Sequence, residues 1–299
     1  MQSLKSIKSR IGGIKSTKKI TQAMKIVSAS RLKQAQSNVI KAGEYLQTFD
    51  NLLLNIYNTD ESIFKESDAL YLQDANQQDV LIIAFGSDRG LCGSFNSKII
   101  SAIASEISAS HNKNKEVKVI CVGDKISQYM NTHHKKNIEF SIPFANQYNR
   151  SISYPHAVSF SQKVQNLFRD KIFNKCRILY TKFNSIMSQK LINMQLLPLD
   201  MGYIASIKNQ FQSKAVFNFD NNLSVILEQV ILNFINATIF NVYANSIACE
   251  YSTRMIAMDS ATQNSEEMLK ELSLLYNRSR QALITKELIE IISGAEAIN

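Results

Sequence analysis

The 299-residue chain has no tryptophan, three prolines and nine glycines, and its breakers are unevenly spread. Nothing after Pro198 is proline and no glycine falls between residues 203 and 293, so this last stretch predicts unbroken helix. Long apolar runs are also missing. The longest, Val80 to Phe85, has six residues, against the ~18 to 20 that a spanning helix requires, and no membrane span is expected. The four cysteines, Cys92, Cys121, Cys176 and Cys249, form no CxxC pair and sit in or beside apolar segments, the pattern of reduced, cytosol-facing thiols. Acidic residues are absent from residues 1 to 43, which carry ten Lys and Arg. That block accounts for the net charge of +9, since the other 256 residues hold 24 basic and 25 acidic side chains. A partner that reads this charge meets one segment only.

What is present begins with a heptad seam. Stepping from Leu4 by alternate threes and fours reaches Ile56 through sixteen positions, twelve of them apolar. Such a seam is the pattern of a coiled coil. It breaks between Lys18 and Ser28, where Ile20, Met24 and Val27 move to a neighbouring face. Gly12 and Gly13 should weaken the first turns by roughly 1 kcal/mol each relative to alanine. A second seam runs from Leu227 through Phe234, Ala244, Tyr251 and Met258, turns polar at Thr262 and Ser265, and resumes at Leu269, Leu272 and Tyr276. Core packing explains this stripe better than a cofactor box.

Between the seams the period changes. Val80 to Phe85, Val117 to Val122, Cys176 to Phe183 and Leu191 to Leu197 read as strands, with helical patterns around Ile99 to Ile107 and Val158 to Phe168. The expected class is α/β: an antiparallel coiled coil of long N- and C-terminal helices with an inserted Rossmann-like α/β domain on a mostly parallel sheet. The boundaries are an N-terminal coiled-coil helix over 1–57, an inserted foot domain over 75–205 and a C-terminal coiled-coil helix over 220–299. Polar stretches at 57–79 and 204–222 are the joints.

One motif invites an enzymatic reading. GSDRGLCGSFN, residues 86 to 96, leaves the first strand as a glycine-rich turn with a cysteine. It lacks the GxxxxGK[ST] loop and the GxGxxG fingerprint, and Cys92 has no base near it in sequence. His111, His133, His134 and His156 fall in no ligand or catalytic spacing. A tight turn capped by Ser87 and Asp88, with Cys92 buried, is expected. A nucleic-acid binder is the other alternative, since basic helices can lie along phosphates, but no aromatic interleaves these lysines.

Geometry adds an overhang. Residues 4 to 56 span about 80 Å as helix and residues 222 to 293 about 108 Å, so roughly the last 25 residues have no partner within the chain. There Leu283, Ile284, Leu288, Ile289, Ile291, Ile292 and Ile298 lie all round the helix. A helix apolar on several sides needs a surrounding sleeve.

ITKELIEIISGAEA (284–297), STKKITQAMKIVSASRL (16–32), SDRGLCGSFN (87–96), YTKFNSIMSQ (180–189) and QLLPL (195–199) together resemble, in order and spacing, the gamma subunit of F-type ATP synthase, the central rotor stalk. In the last segment Ile284, Thr285, Glu287, Glu290, Gly294 and Ala295 occupy the signature places. The resemblance implies a non-catalytic, cofactor-free and metal-free shaft inside a ring of alpha and beta subunits, its foot binding the epsilon subunit and the membrane rotor ring of c subunits. It implies contacts with the catalytic head through Met24 and Lys25, through Arg254 and Gln263, and through Arg280, Gln281, Thr285 and Glu287. Asp259 and Glu266-Glu267 beside Gln263 depart from that pattern. The cytoplasmic face of a bacterial inner membrane is the expected site, with an organellar inner membrane as the alternative. The basic, Ser-rich N-terminus resembles a transit peptide, but it is Lys-rich and its seam continues past any cleavage point.

Overall fold

A computed structural model describes residues 3–66, 71–72, 79–111, 116–142, 153–210 and 223–296. The expected joints at 57–79 and 204–222 fall partly outside these residues, and Ile298 falls wholly outside. The chain divides into two compact units, Met1–Ser30 with Arg254–Asn299, and Arg31–Thr253. Two helices, α1 (Leu4–Thr59) and α7 (Leu223–Glu296), each belong partly to both. The Gly12-Gly13 pair does not interrupt α1: the two carbonyls stay in the helix and accept hydrogen bonds from the Ser16 and Thr17 hydroxyls at 3.2 Å.

The unit Arg31–Thr253 is organised by a sheet of order β3-β2-β1-β4-β5. Its strands are β1 (Val80–Phe85), β2 (Val117–Val122), β3 (Ile138–Ile142), β4 (Lys175–Phe183) and β5 (Gln189–Leu197). All pairings are parallel except β4 with β5, which form an antiparallel hairpin. The central strand VLIIAF is apolar at every position because both faces are covered. Leu81, Ile83 and Phe85 face one core, with Phe160 and Val164 of α5 (Tyr154–Arg169), Leu53 and Ile56 of α1, and Phe234 and Ile239 of α7. Ile82 and Ala84 face the other, with Ile99 and Ile103 of α3 (Phe95–His111) and Ile126 and Met130 of α4 (Asp124–His133). Each fully buried Leu, Ile or Phe stabilises the fold by about 1.5–3 kcal/mol.

Two short helices, α2 (Ser62–Glu66) and α6 (Met201–Gln210), and a single 3-10 turn at Lys135–Asn137 complete the described elements. The strand β3 was not expected from sequence. It is a five-residue edge strand, half-buried at most positions, so it lacks the apolar density that marks its neighbours.

Burial follows the C-terminal seam. Leu227, Val230, Phe234, Ala237, Ala244, Ala248 and Tyr251 are all buried within this unit. One stretch of α7 is also long and apolar enough, by length and composition alone, to cross a membrane, a test that the core helix of a folded domain passes as well. Asn233, Asn236, Asn241 and Asn245 cut the apolar runs short without making the helix polar on average.

In the other unit α1 and α7 run antiparallel. Lys18 meets Glu266, Thr21 meets Thr262 and Lys25 meets Asp259, so each step up one helix is matched by a step down the other. Ile7, Thr21, Ser28, Met258, Ser265 and Leu272 are buried. The polar break in the first seam therefore lies against the polar break in the second.

Candidate functional site

The glycine-rich turn closes on itself. The Ser87 N–H donates to Asn96 Oδ1 at 3.0 Å, and Asn96 Nδ2 donates to Ser87 Oγ at 2.8 Å and to Cys92 Sγ at 3.2 Å. The Ser87 hydroxyl donates to the Arg89 carbonyl at 2.8 Å. Groups that would greet a phosphate are thus spent on one another. Gly86 and Gly123 let two strand ends touch: a Cβ on Gly86 would run into the Ile126 side chain, and one on Gly123, at φ 110°, would lie 2.9 Å from Ser87 N. Cys92 is free and buried, as are the other three cysteines. Burial pushes the Cys121 thiol up to about 11 and the Cys249 thiol up to about 12, and raises that of Cys176 as well. These three stay protonated and unreactive at neutral pH.

In doubly wound sheets ligands bind at the carboxyl ends of the strands, where the strand order reverses. Here that place lies between β1 and β4, and α7 fills it. Tyr243 stands edge-on to Phe85 with ring centres 4.7 Å apart, and Asn245 Oδ1 accepts from the Phe183 N–H at 3.1 Å. Of the histidines, His133 stacks on Tyr129 and His156 lies 2.7 Å from the Ser153 hydroxyl, while the His111 side chain is outside the described residues. Among the described residues no group of three His, Cys, Asp or Glu side chains is placed to share a metal ion.

The other candidate surface is the coil of the first unit. Lys25 Nζ lies 2.6 Å from Asp259 Oδ1 and Lys18 Nζ 2.8 Å from Glu266 Oε1, in pairs that remain partly exposed. The hydrogen bond and charge of Lys18 hold the Glu266 carboxyl below the usual carboxylate range. Although no acid lies near Lys18 and Lys25 in sequence, acids 234 residues and more along the chain answer them. Lys15, Lys19, Arg31 and Lys33 make no ion pair among the described residues. Beside this cationic surface Ile20, Ile26 and Val27 are more than half exposed.

The expected contact residues fall into groups. Met24 is half-buried beside Lys25, and Gln263 is exposed next to Thr262, so these three share one stretch of coil. Arg254 is buried, with 7% of its surface exposed. Arg280, Gln281, Thr285 and Glu287 are all exposed and begin about 30 Å along α7 from Asp259. Thr285 donates back to the Gln281 carbonyl at 3.0 Å. Sequence reasoning missed Asp259 and Glu266 as the mates of Lys25 and Lys18. The signal was available: two polar breaks in two seams, one carrying Lys18 and Lys25 and the other flanked by Asp259 and Glu266.

Projected along the same register, Leu4 lies opposite position 280 or so, and every residue from Gln281 to Gly294 is exposed. Ile284, Leu288 and Ile291 are 48%, 54% and 68% exposed, with Ile289 and Ile292 on other sides of the helix at 58% each. The unpartnered tip is thus apolar all round and starts near 280 rather than 275.

A family profile described as ATP synthase matches residues 3–298. The chain is 37% identical over 303 residues to the ATP synthase gamma chain of Rhodospirillum rubrum, and 36% identical over 299 residues to that of Pelagibacter ubique. Each alignment covers 100% of both proteins. Among solved structures, a chain of the Euglena gracilis mitochondrial ATP synthase in rotational state 3 shares the fold at a TM-score of 0.70 and 17% identity, over 99% of this chain and 94% of that one. A chain of the rotor of the same enzyme in rotational state 1 matches at a TM-score of 0.63 and 17% identity, over 94% and 98%.

Proposed function

The chain belongs to the gamma-chain family of ATP synthases and is the non-catalytic rotor subunit of that complex, and we propose from this premise how its surfaces divide the work. The exposed apolar tip carries the reading. Fourteen exposed residues, Gln281 to Gly294, hold six large aliphatic side chains that no described residue covers. A sleeve formed by the alpha and beta subunits accounts for them, with Arg280, Gln281, Thr285 and Glu287 at its mouth. Lower on the coil, Met24, Lys25 and Gln263 face the catalytic subunits, and Arg254, buried within the chain, supports that stretch instead of fronting it. An acidic loop there would meet Lys15 and Lys19 and share Lys25 with Asp259.

The working parts are the coil helices 1–57 and 220–299 and the foot 75–205. The foot binds the epsilon subunit and the ring of c subunits, and the chain lies peripherally on the cytoplasmic face of a bacterial inner membrane; the bacterial source of its relatives supports this. Two helices have no threefold symmetry, so at any angle they present different faces to three catalytic subunits and bias each toward a different conformation. Turning the shaft then moves every site through binding, synthesis and release of ATP.

Affinity purification of the tagged chain from its own cells tests the reading. Catalytic and ring subunits should be recovered together with it. Recovery of RNA without them would sink it.

A further inference from the structure

The hairpin of β4 and β5 is held to α7 through its backbone. The strand β1 pairs with β4 only as far as Leu179, while β5 stays paired to Phe183. Residues Tyr180 to Phe183 therefore have a strand on one side and α7 on the other. The helix takes over the missing ladder. Asn245 Oδ1 accepts the Phe183 N–H at 3.1 Å, the Cys249 thiol donates to the Thr181 carbonyl at 3.3 Å, and the Ser252 hydroxyl donates to the Ile186 carbonyl at 2.7 Å. Gln189 Nε2 returns a bond to Ser252 Oγ at 3.2 Å. Asn241 fixes the Asn245 amide, accepting from Nδ2 through its carbonyl at 2.9 Å and its Oδ1 at 3.0 Å.

These residues stand four, four and three positions apart, so they form one stripe on the helix. Asn245, Cys249 and Ser252 are buried, at 4%, 0% and 0% exposure. Polar side chains at buried seam-side positions are costly unless bonded, and an aliphatic stripe would pack a helix on a sheet equally well. What hydrogen bonds add is direction. Apolar contacts let a helix slide or roll over a strand, whereas bonds to fixed backbone atoms resist both motions.

We propose that the stripe Asn245, Cys249 and Ser252 is the joint that locks the sheet domain to the rotor helix, so that the foot and α7 turn as one body. The proposal rests on the rotor reading. It assigns these side chains a positioning role: they hold the hairpin in register along a helix that continues unbroken to Glu296.

The test uses the assembled ATP synthase, with one probe on the foot and the catalytic head fixed, and reads the angular spread of the foot by single-molecule imaging. Asn245→Leu keeps the branched shape and removes the acceptor, and should widen the mean-square spread at least twofold. Ser252→Ala is the milder variant should the first fail to assemble, and hydrogen exchange at the Phe183 amide, followed in Asn245→Leu or Asn245→Ala, should quicken about tenfold. The control Thr253→Ala, whose hydroxyl bonds back to the Cys249 carbonyl at 2.8 Å, should leave the spread unchanged. An unchanged spread in assembled Asn245→Leu or Ser252→Ala complexes overturns the joint alone. Failure of the wild-type chain to enter the complex overturns the rotor reading instead.

Discussion

Alanine at Gly123 should destabilise the chain and alanine at Gly90 should not, although both glycines line the same turn. Gly123 sits at φ 110°, and an added Cβ would lie 2.9 Å from Gly86 C and from Ser87 N. Neither atom can retreat. The Gly86 N–H is tied to the Val122 carbonyl at 2.7 Å, the Ser87 carbonyl accepts from Lys125 N at 3.0 Å, and Ser87 N is held by Asn96. Forcing a side chain into that backbone region costs of order 1–3 kcal/mol. Crowding packed atoms adds about 1–3 kcal/mol more. A total of about 2–6 kcal/mol is a large share of the ~5–15 kcal/mol by which a folded domain is stable. In urea unfolding of the full chain, followed by circular dichroism, the midpoint should fall by roughly 1–3 M at a slope of about 2 kcal/mol/M. A Cβ at Gly90 meets only the end of Lys125, at 3.9 Å, so Gly90→Ala should stay within about 0.5 kcal/mol of the parent. Equal midpoints for the two variants would mean that the close approach of the strand ends does not constrain the turn.

Alanine at Gly12 and Gly13 meets nothing within 4 Å and should stabilise the chain by up to about 1 kcal/mol for each residue, raising the melting temperature; a lower melting point would show that α1 needs give at its start. Burial raises the Asp50 carboxyl above its ordinary 3.8, partly offset by the Tyr203 hydroxyl at 2.8 Å. The folded chain thus binds that proton more tightly than the unfolded one. The stability this group contributes is complete below 3.8 and is lost as pH rises through the higher native value. Asp50→Asn should therefore stabilise the chain more at about pH 7 than at about pH 3, measured by thermal melts; an equal gain at both would contradict the assignment. Deleting residues 288–299 should leave the melting point unchanged, because Leu288 to Gly294 are exposed, yet lower ATP synthesis by the complex; wild-type synthesis would remove the case for a sleeve. Cys92→Ala should leave ATP hydrolysis by the complex near normal, and complete loss without unfolding would revive a chemical role for the turn.

The long elements were legible because their signals are long. A sixteen-position seam cannot arise from a sheet, and Leu227 to Tyr276 alternates threes and fours through a stretch free of breakers. The strands VLIIAF and VKVICV announced themselves by density, whereas IEFSI, an edge strand with one face open, did not. Short amphipathic α4 was missed for the same reason: only Ile126 and Met130 of its ten residues are buried. The glycine turn was recognised as structural, but its closure by Asn96 depends on a side chain nine residues from Ser87 folding back, which spacing cannot encode. The matching of Lys25 with Asp259 depends on register between distant helices. That register is fixed by packing rather than by any local pattern.

The first unit is made from the two ends of the chain and the second from its middle. Lys25 and Asp259 stand 234 residues apart, and closing so long a loop in an unfolded chain costs about 5 kcal/mol in entropy. A partly exposed ion pair contributes about 1 kcal/mol at most and cannot meet that cost. The ion pairs of the coil should therefore form late in folding, after the sheet domain has shortened the effective loop by bringing residues 31 and 253 into one compact body. During synthesis the basic first thirty residues wait for nearly the whole chain to emerge, cationic and with their seam uncovered. Pulse-labelled hydrogen exchange should find the amides of β1 protected before those of residues 4–30, and the reverse order would place the nucleus in the coil.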